Sequence, residues 1–377
     1  MTINERLRAV RGRSGLTLQQ VSERTSIGVS SLSELENGLR EPSLSQLGSL
    51  ANCYHLAVSS FFEDVKTEGV LLWRSRPKSP ASNGIGARFF ELVQQYHNLE
   101  MWCNEKKHPE LPVGAGIPEN LRGHQIENLA GIVQEQLKLG NRPGATLLRV
   151  LEEVCGVKIF HDDFDEHCAA CTVDENLGAA VLLNRNAIRS QINFDLAHEL
   201  FHLVTWKSFK HDQASDDTVM AEAQEEDLAN IFARNLLMPR AAILNAMTPY
   251  FAKGVRLTFD DVFDVARQFD VGVEQLILRL DDVYGFPKEA AKELIARYTE
   301  TAKERHLAAT RLEEKDTIPL RPLRFRALAF KALHTGEMSE GLFAKYLGVN
   351  RKEAMELIEH NMQQEPDVNE EVELTAA

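Results

Sequence analysis

The chain has 377 residues, a net charge of −14 and an isoelectric point of about 5.4. This acidic balance excludes a protein that coats nucleic acid over its whole surface, so any DNA binding must be local. The chain begins without an apolar signal core, and no apolar run is as long as a membrane span. Its five cysteines do not resemble a disulfide framework. We therefore expect a cytoplasmic protein of several domains, with reduced thiols and no membrane partner.

The first 65 residues predict short helices joined by tight turns. Thr17 is placed to cap one helix, the next follows Ile27-Gly28, and Asn37-Gly38 ends it. Pro42-Ser43 opens another helix over 44–53. Short helices around a tight glycine-containing turn are typical of helix-turn-helix domains, in which one helix enters the DNA major groove.

This segment, with Leu32-Ser33-Glu34-Leu35-Glu36-Asn37-Gly38 and Arg40-Glu41-Pro42-Ser43, resembles the XRE type of helix-turn-helix found in Cro and phage repressors. The resemblance implies base-edge contacts by Val29, Ser30, Ser31 and Glu34, and phosphate contacts by Thr17, Asn37 and Arg40. The partner would be double-stranded operator DNA. Because the reading helix has no Lys or Arg, we expect modest affinity supported by a homodimer. The alternative is an interaction module that has lost DNA binding.

Residues 66–118 predict a linker and a helical connector. Two prolines, two glycines and small polar residues over 76–87 leave little to bury. A helix over 88–107 then carries an apolar stripe, made of Phe89, Leu92, Val93, Tyr96, Leu99 and Trp102. We interpret this stripe as core or dimer contact and assign it no chemistry.

Residues 157–160, 169–173 and 179–183 predict the short strands of a small sheet. A buried helix is predicted over 194–204, where apolar residues recur at helical spacing without Pro or Gly. His198 and His202 lie four residues apart on that helix, so both imidazoles can bind one tetrahedral zinc. Glu199, about 100° further round, is placed to act as the general base of peptide hydrolysis. The alternative is two core histidines satisfied by backbone carbonyls.

A catalytic zinc also needs a third protein ligand. A second helix, stopped by Pro239, offers three carboxylates, Glu222, Glu225 and Glu226. Ala229 and Ala233 follow Glu226 on one face and would let this helix approach closely. Spacing alone does not choose among the three, and a solvated acidic face is the alternative.

Three segments together resemble the ImmA/IrrE family of zinc metallopeptidases, namely Val181-Leu182-Leu183-Asn184, the run from Phe194 to His202, and Glu226-x-x-Ala229-Asn230 through Met238-Pro239. The resemblance covers residues 119–283. It implies His198, His202 and Glu226 as zinc ligands and Glu199 as the base. The chain departs from the family at Phe201, where members often have glycine, and this ring either crowds the cleft or packs behind the helix.

Cys168 and Cys171 have the spacing of half a structural zinc site, with His161 and His167 nearby. No second half is visible in the sequence, which disfavours another metal. A different hypothesis is a zinc-switch thiol, in which one of these cysteines occupies the open position of the catalytic zinc.

Residues 284–363 predict a helical C-terminal region. One long charged helix is predicted over 286–314, and two further helices around Leu347-Gly348-Val349-Asn350. We interpret the last pair as a packing or dimer element, since it lacks the basic face of a second DNA reader. Residues 364–377 are acidic and predicted to be disordered.

The predicted fold is mainly α, with an N-terminal five-helix helix-turn-helix domain (1–65), an α+β zincin-like metallopeptidase domain with a small sheet (119–283) and a helical C-terminal region. The predicted protein is a transcriptional regulator whose zinc-dependent endopeptidase cleaves a repressor-like protein or the chain itself. A His-His-Glu set accepts Mn²⁺ as well as Zn²⁺. The alternative function is a repressor or antitoxin whose zinc domain senses metal, redox state or a ligand and cleaves nothing.

Overall fold

The computed structural model describes residues 2–13, 17–54, 58–62, 70–74, 85–105, 111–112, 123–163, 169–174, 176–209, 218–220, 223–252, 257–313 and 319–364. The described residues form two compact units, one from those within 1–94 and 107–318 and one from those within 95–106 and 319–377. None of the described helices is both long and apolar enough to cross a membrane. The predicted acidic tail lies outside the described residues, except for residue 364.

The N-terminal helices have a core of their own within the first unit. They are α1 (Ile3–Arg13), α2 (Leu18–Thr25), α3 (Val29–Glu36) and α4 (Leu44–Tyr54), followed by a 3-10 helix (Val58–Phe61). Leu7, Val21, Leu35 and Leu50 are buried together in this core. The turn between α2 and α3 is tight because Ser26 takes a left-handed conformation at φ 58°. The predicted helix-turn-helix is confirmed.

A five-stranded sheet forms the centre of the first unit. Its strands are β1 (Leu71–Trp73), β2 (Lys158–Asp162), β3 (Ala170–Asp174), β4 (Gly178–Asn184) and β5 (Thr218–Met220), in the order β2-β4-β3-β1-β5. Strand β3 is antiparallel to β4 and β1, whereas β2–β4 and β1–β5 are parallel pairs. The sequence predicts β2, β3 and β4 but not β1 or β5, because three residues are too few to show an alternating pattern.

Helices cover this sheet and extend the same core. They are α6 (Gly123–Gln136), α7 (Leu147–Glu153), α8 (Arg189–Thr205), α9 (Ala223–Leu237), α10 (Arg240–Ala252), α11 (Phe259–Gln268), α12 (Val273–Tyr284), α13 (Ala290–Thr301) and α14 (Lys303–Glu313). Helix α8 packs against strands β3 and β4 and against α9, and α9 also packs against α6. The prediction of a single long helix over 286–314 is wrong. Ala302, at φ −131° and ψ −21°, ends α13 and separates it from α14.

Helix α5 (Ile85–Trp102) begins in the first unit and ends in the second. The second unit also contains α15 (Leu323–His334), α16 (Glu340–Leu347) and α17 (Arg351–Gln364). Its core includes the edge-on contact of Tyr96 with Phe325, whose ring centroids are 5.4 Å apart. Tyr96, a member of the apolar stripe predicted on this helix, is therefore buried by contact with α15.

Candidate functional site

Helix α8 carries His198, Glu199 and His202 in the interior of the first unit. Every residue from Ile192 to Leu203 is buried, because the helix packs against both the sheet and α9. The exposed fractions of His198, Glu199 and His202 are 0%, 0% and 1%. Polar side chains buried this completely must be paired with one another or with a bound group.

The two histidines and Glu226 converge on one point. Nε2 of His198 lies 3.2 Å from Nε2 of His202 and 3.2 Å from Oε2 of Glu226. Oε1 of Glu226 lies 3.4 Å from Nε2 of His202. Among the residues that the structure describes, this is the group of His, Cys, Asp and Glu side chains whose ligand atoms approach closely enough to hold a metal ion. Its donor set, two imidazoles and a carboxylate, fits a catalytic zinc site.

The other ring nitrogens contact side chains of α9. Nδ1 of His202 lies 2.8 Å from Oε1 of Glu225, and Nδ1 of His198 lies 3.1 Å from Oδ1 of Asn230. Acceptors at Nδ1 keep the proton on that nitrogen and leave Nε2 free for a cation. The sequence does not predict these contacts with the imidazoles. It offers Glu225 only as a possible metal ligand and Asn230 only as part of the family motif. Glu222, the third candidate ligand, lies outside the described residues.

Charge at the cluster is set by burial and by the two glutamates. Burial lowers the pKa of His198 to about 4, despite the nearby Glu226 carboxylate. Burial would also lower the pKa of His202, but hydrogen bonds to Glu225 and Glu226 outweigh it and raise that pKa to about 9. Burial opposes ionisation of Glu226, yet its close contacts with the two imidazoles lower its pKa to about 2. The cluster therefore stabilises a positive charge between the histidines and the glutamates, which a metal ion supplies as well as a proton.

Glu199 lies beside this cluster without an ordinary hydrogen bond. Both of its carboxylate oxygens are buried and lack a partner in the described part of the chain, apart from the approach of the Cys171 thiol, a weak donor. Burial raises its pKa to about 7. A buried carboxylate with free lone pairs is suited to accept a proton from a water molecule.

The ring of Phe201, which departs from the family pattern, packs between α8 and α9. It is fully buried, and its centroid lies 5.6 Å from the ring of Phe232 on α9 and 6.1 Å from that of Phe209. These contacts fill space between α8 and α9. Phe201 is therefore a buried packing residue between α8 and α9.

The two cysteines proposed as zinc-switch thiols have different outcomes. Cys171 is a free, fully buried thiol on β3, and it contacts Glu199 rather than forming part of the ligand cluster. Burial, and then the nearby carboxylate of Glu199, raise the pKa of this thiol well above its ordinary value. Cys168 lies outside the described residues, as does His167. The switch therefore stays a prediction.

The residues predicted to contact DNA lie on and around α3. Val29, Ser30 and Glu34 are exposed on this helix, and Ser31 is half-buried. Thr17, Asn37 and Arg40 are also exposed, and the Arg40 guanidinium donates to the Ser31 hydroxyl at 3.4 Å. Leu32 and Leu35 of α3 are buried in the N-terminal core, and the buried Glu36 pairs with the guanidinium of Arg11 at 2.6 Å. The fold thus leaves one face of α3 open to a partner.

Comparison with known families identifies two domains. Residues 5–59 match the helix-turn-helix domain family, and residues 152–281 match the IrrE N-terminal-like domain family. The chain therefore joins an N-terminal helix-turn-helix domain to an IrrE N-terminal-like domain, as its motifs predict. The candidate metal cluster, on α8 and α9, lies within the second match.

Individual relatives resemble only parts of the chain or resemble it weakly. The chain is 41% identical over 69 residues to the HTH-type transcriptional regulator DdrOP3 of Deinococcus deserti. These 69 residues are 18% of this chain and 54%, about half, of that relative. A Mycobacterium tuberculosis transcriptional regulator is 17% identical over 52% of this chain and 54% of its own, with a TM-score of 0.32. The structure of Bacillus thuringiensis PlcR in complex with the peptide PapR7 and DNA is 14% identical over 98% of this chain and 99% of its own. Its TM-score is 0.17. Scores this low support no functional argument.

Proposed function

We propose that this chain is a DNA-binding transcriptional regulator whose IrrE N-terminal-like domain is a metal-dependent endopeptidase that cleaves a repressor-like protein or the chain itself. The observation that carries the proposal is the position of Glu199. Its carboxylate is buried, without an ordinary hydrogen bond, one residue along α8 from His198. A site that only holds a metal has no need of such a carboxylate, whereas hydrolysis needs a base.

The chain supplies both the ligands and the proton acceptor. His198, His202 and Glu226 would hold the metal, as the distances among their ligand atoms allow. A bound Zn²⁺, or Mn²⁺, would polarise the scissile carbonyl and acidify a water molecule. Glu199 would accept a proton from the attacking water molecule and later donate it to the amine of the leaving peptide. Glu225 and Asn230 contact Nδ1 of the two imidazoles, whose Nε2 atoms lie near Glu226 and would be free to bind the metal.

The DNA-binding part of the proposal is supported by α3. Its exposed face carries Val29, Ser30 and Glu34, while its other face is fixed in the N-terminal core. The relative DdrOP3 is named an HTH-type transcriptional regulator, and its similarity extends over 69 residues. We infer that the partner is double-stranded operator DNA, bound by a homodimer in the cytoplasm. Selection from a random duplex library should enrich a palindromic site, and no enrichment would contradict DNA reading.

The peptidase is tested by comparing the full-length wild type with Glu199→Gln, which keeps the side-chain shape but removes the base. Metal content is measured by elemental analysis, and cleavage of the chain and of co-expressed repressor-like proteins is followed by intact mass. We expect metal in both proteins and cleavage slowed by about 10²- to 10⁴-fold in the variant. Asp227→Asn, an exposed carboxylate on α9, is the matched control and should cleave normally.

A second function, a non-proteolytic sensor of metal, redox state or a ligand, is favoured by a different observation. His198 and Glu199 are 0% exposed, and the side chain of Glu226 is 20% exposed. A peptide must therefore gain access to a site that a small ion reaches more easily. Bound metal without cleavage in wild type and Glu199→Gln would favour this function. A lack of metal in both proteins would contradict the metal-site assignment, and with it the peptidase and the metal sensor.

A further inference from the structure

A residue far from the IrrE N-terminal-like region in sequence reaches the metal cluster. Arg74 directly follows β1, outside the matched residues 152–281. Strand β1 pairs with β3 through Leu72 opposite Cys171, and the Arg74 amide donates to the carbonyl of Ala169 at 3.1 Å. The sheet thus fixes the backbone of Arg74 and with it the position of the Arg74 Cα atom, from which the side chain extends.

The Arg74 guanidinium spans both helices of the candidate metal centre. Nη1 lies 2.5 Å from Oδ1 of Asp195 on α8. Nη2 lies 3.4 Å from Oδ1 of Asn230, and Nε lies 3.9 Å from Oε2 of Glu226, both on α9. The guanidinium offers several donors in one rigid plane, so it contacts three acceptors that a lysine ammonium would not hold in the same geometry.

Two of these three contacts act on the metal cluster. Glu226 is one of its three members, and its ion pair with Arg74 restrains the carboxylate. Oδ1 of Asn230 faces both Nη2 of Arg74 and Nδ1 of His198. Because a guanidinium only donates hydrogen bonds, it keeps the amide oxygen of Asn230 turned towards it. That oxygen then accepts the Nδ1 proton of His198 and leaves Nε2 directed at the cluster.

We propose that Arg74 is a positioning residue of the metal centre, which orients Glu226 directly and His198 through Asn230. The centre thereby extends beyond the peptidase-like domain to the segment that follows the helix-turn-helix domain. This inference rests on the proposed metal-binding function. It differs from a purely structural role, in which Arg74 only neutralises the buried carboxylate of Asp195.

The test measures metal binding by the full-length chain rather than cleavage. Metal-stripped protein is titrated with Co²⁺, and its absorption spectrum reports both affinity and coordination geometry. Arg74→Gln should bind about 10- to 100-fold more weakly than wild type, as expected for loss of a residue that orients ligands. Arg88→Gln is the matched control, because Arg88 pairs with Asp162 on β2 at 2.8 Å, away from the cluster.

Arg74→Gln leaves Asp195 without its guanidinium and can destabilise the fold for that reason alone. The double variant Arg74→Gln with Asp195→Asn removes the buried charge and should recover thermal stability. We expect its Co²⁺ affinity to stay low and its spectrum to stay altered. Wild-type affinity and spectrum in the double variant would show that Arg74 serves only Asp195 and overturn the inference. Wild type that binds no Co²⁺ would instead overturn the proposed metal site and this inference with it.

Discussion

The carboxylate of Glu225 lies 2.8 Å from Nδ1 of His202, whereas Glu226, the next residue, faces Nε2 of the same ring at 3.4 Å. Two adjacent glutamates therefore have different relations to one histidine. Glu226 belongs to the candidate metal cluster, whereas Glu225 contacts the other ring nitrogen, Nδ1.

This relationship predicts unequal effects of two otherwise identical substitutions. Glu226→Gln removes an anionic ligand and should leave metal binding undetectable at concentrations that saturate wild type. Glu225→Gln removes a hydrogen bond to the ring and should weaken binding by about 10- to 100-fold. Titration with Zn²⁺ against a chromophoric chelator measures both. Equal losses in the two variants would contradict the distinction, and Asp227→Asn serves as the control.

The buried thiol of Cys171 should resist alkylation in the folded protein. It is fully buried, and burial followed by the Glu199 carboxylate raises its pKa, so the reactive thiolate is scarce. Cys53, which is half-buried, should react with iodoacetamide before Cys171, as followed by peptide mass mapping. Early labelling of Cys171 would show that the thiol is accessible and would support the switch hypothesis.

His161 on β2 should make stability fall in mild acid. Burial, and then the charge of Arg185, lower its pKa from 6.5 to about 4, and its exposed fraction is 8%. The unfolded chain therefore binds the proton first, so stability is lost as pH falls from about 6.5 to about 4, by up to roughly 3 kcal/mol. Urea unfolding of wild type and His161→Gln at several pH values measures this. The variant should lose less stability across that window, and parallel curves would contradict the assignment.

Arg40 should contribute a phosphate contact once an operator has been selected. It is exposed, beside α3, and its guanidinium already reaches the hydroxyl of Ser31. Arg40→Ala should weaken binding to all sequences alike and reduce the slope of log affinity against log salt by about 1. Arg149→Ala, an exposed arginine on α7, should leave the slope unchanged. A change in base preference without a change in slope would assign Arg40 to base reading instead.

Much of the candidate site follows from short stretches of sequence. The four-residue spacing of His198 and His202 places them on one face of α8, and the apolar residues around them require that this helix be buried. The boundaries of α3 follow similarly from Gly28 before it and Asn37 after it. These features are local, because one helical turn involves only residues that are close in the chain.

Contacts between distant segments were decided by tertiary structure. Helical spacing leaves Glu225 and Glu226 equivalent, and only the packing of α9 against α8 turns Glu226 towards Nε2 and Glu225 towards Nδ1 of His202. Strand β1 is too short for a recognisable pattern, so the approach of Arg74 to Asn230 becomes visible only when the sheet is assembled. The sequence by itself therefore determined the two motifs and their helices through local periodicity. The tertiary structure decided which glutamate joins the candidate metal cluster and which residues contact that cluster, because both depend on how segments far apart in the chain pack together.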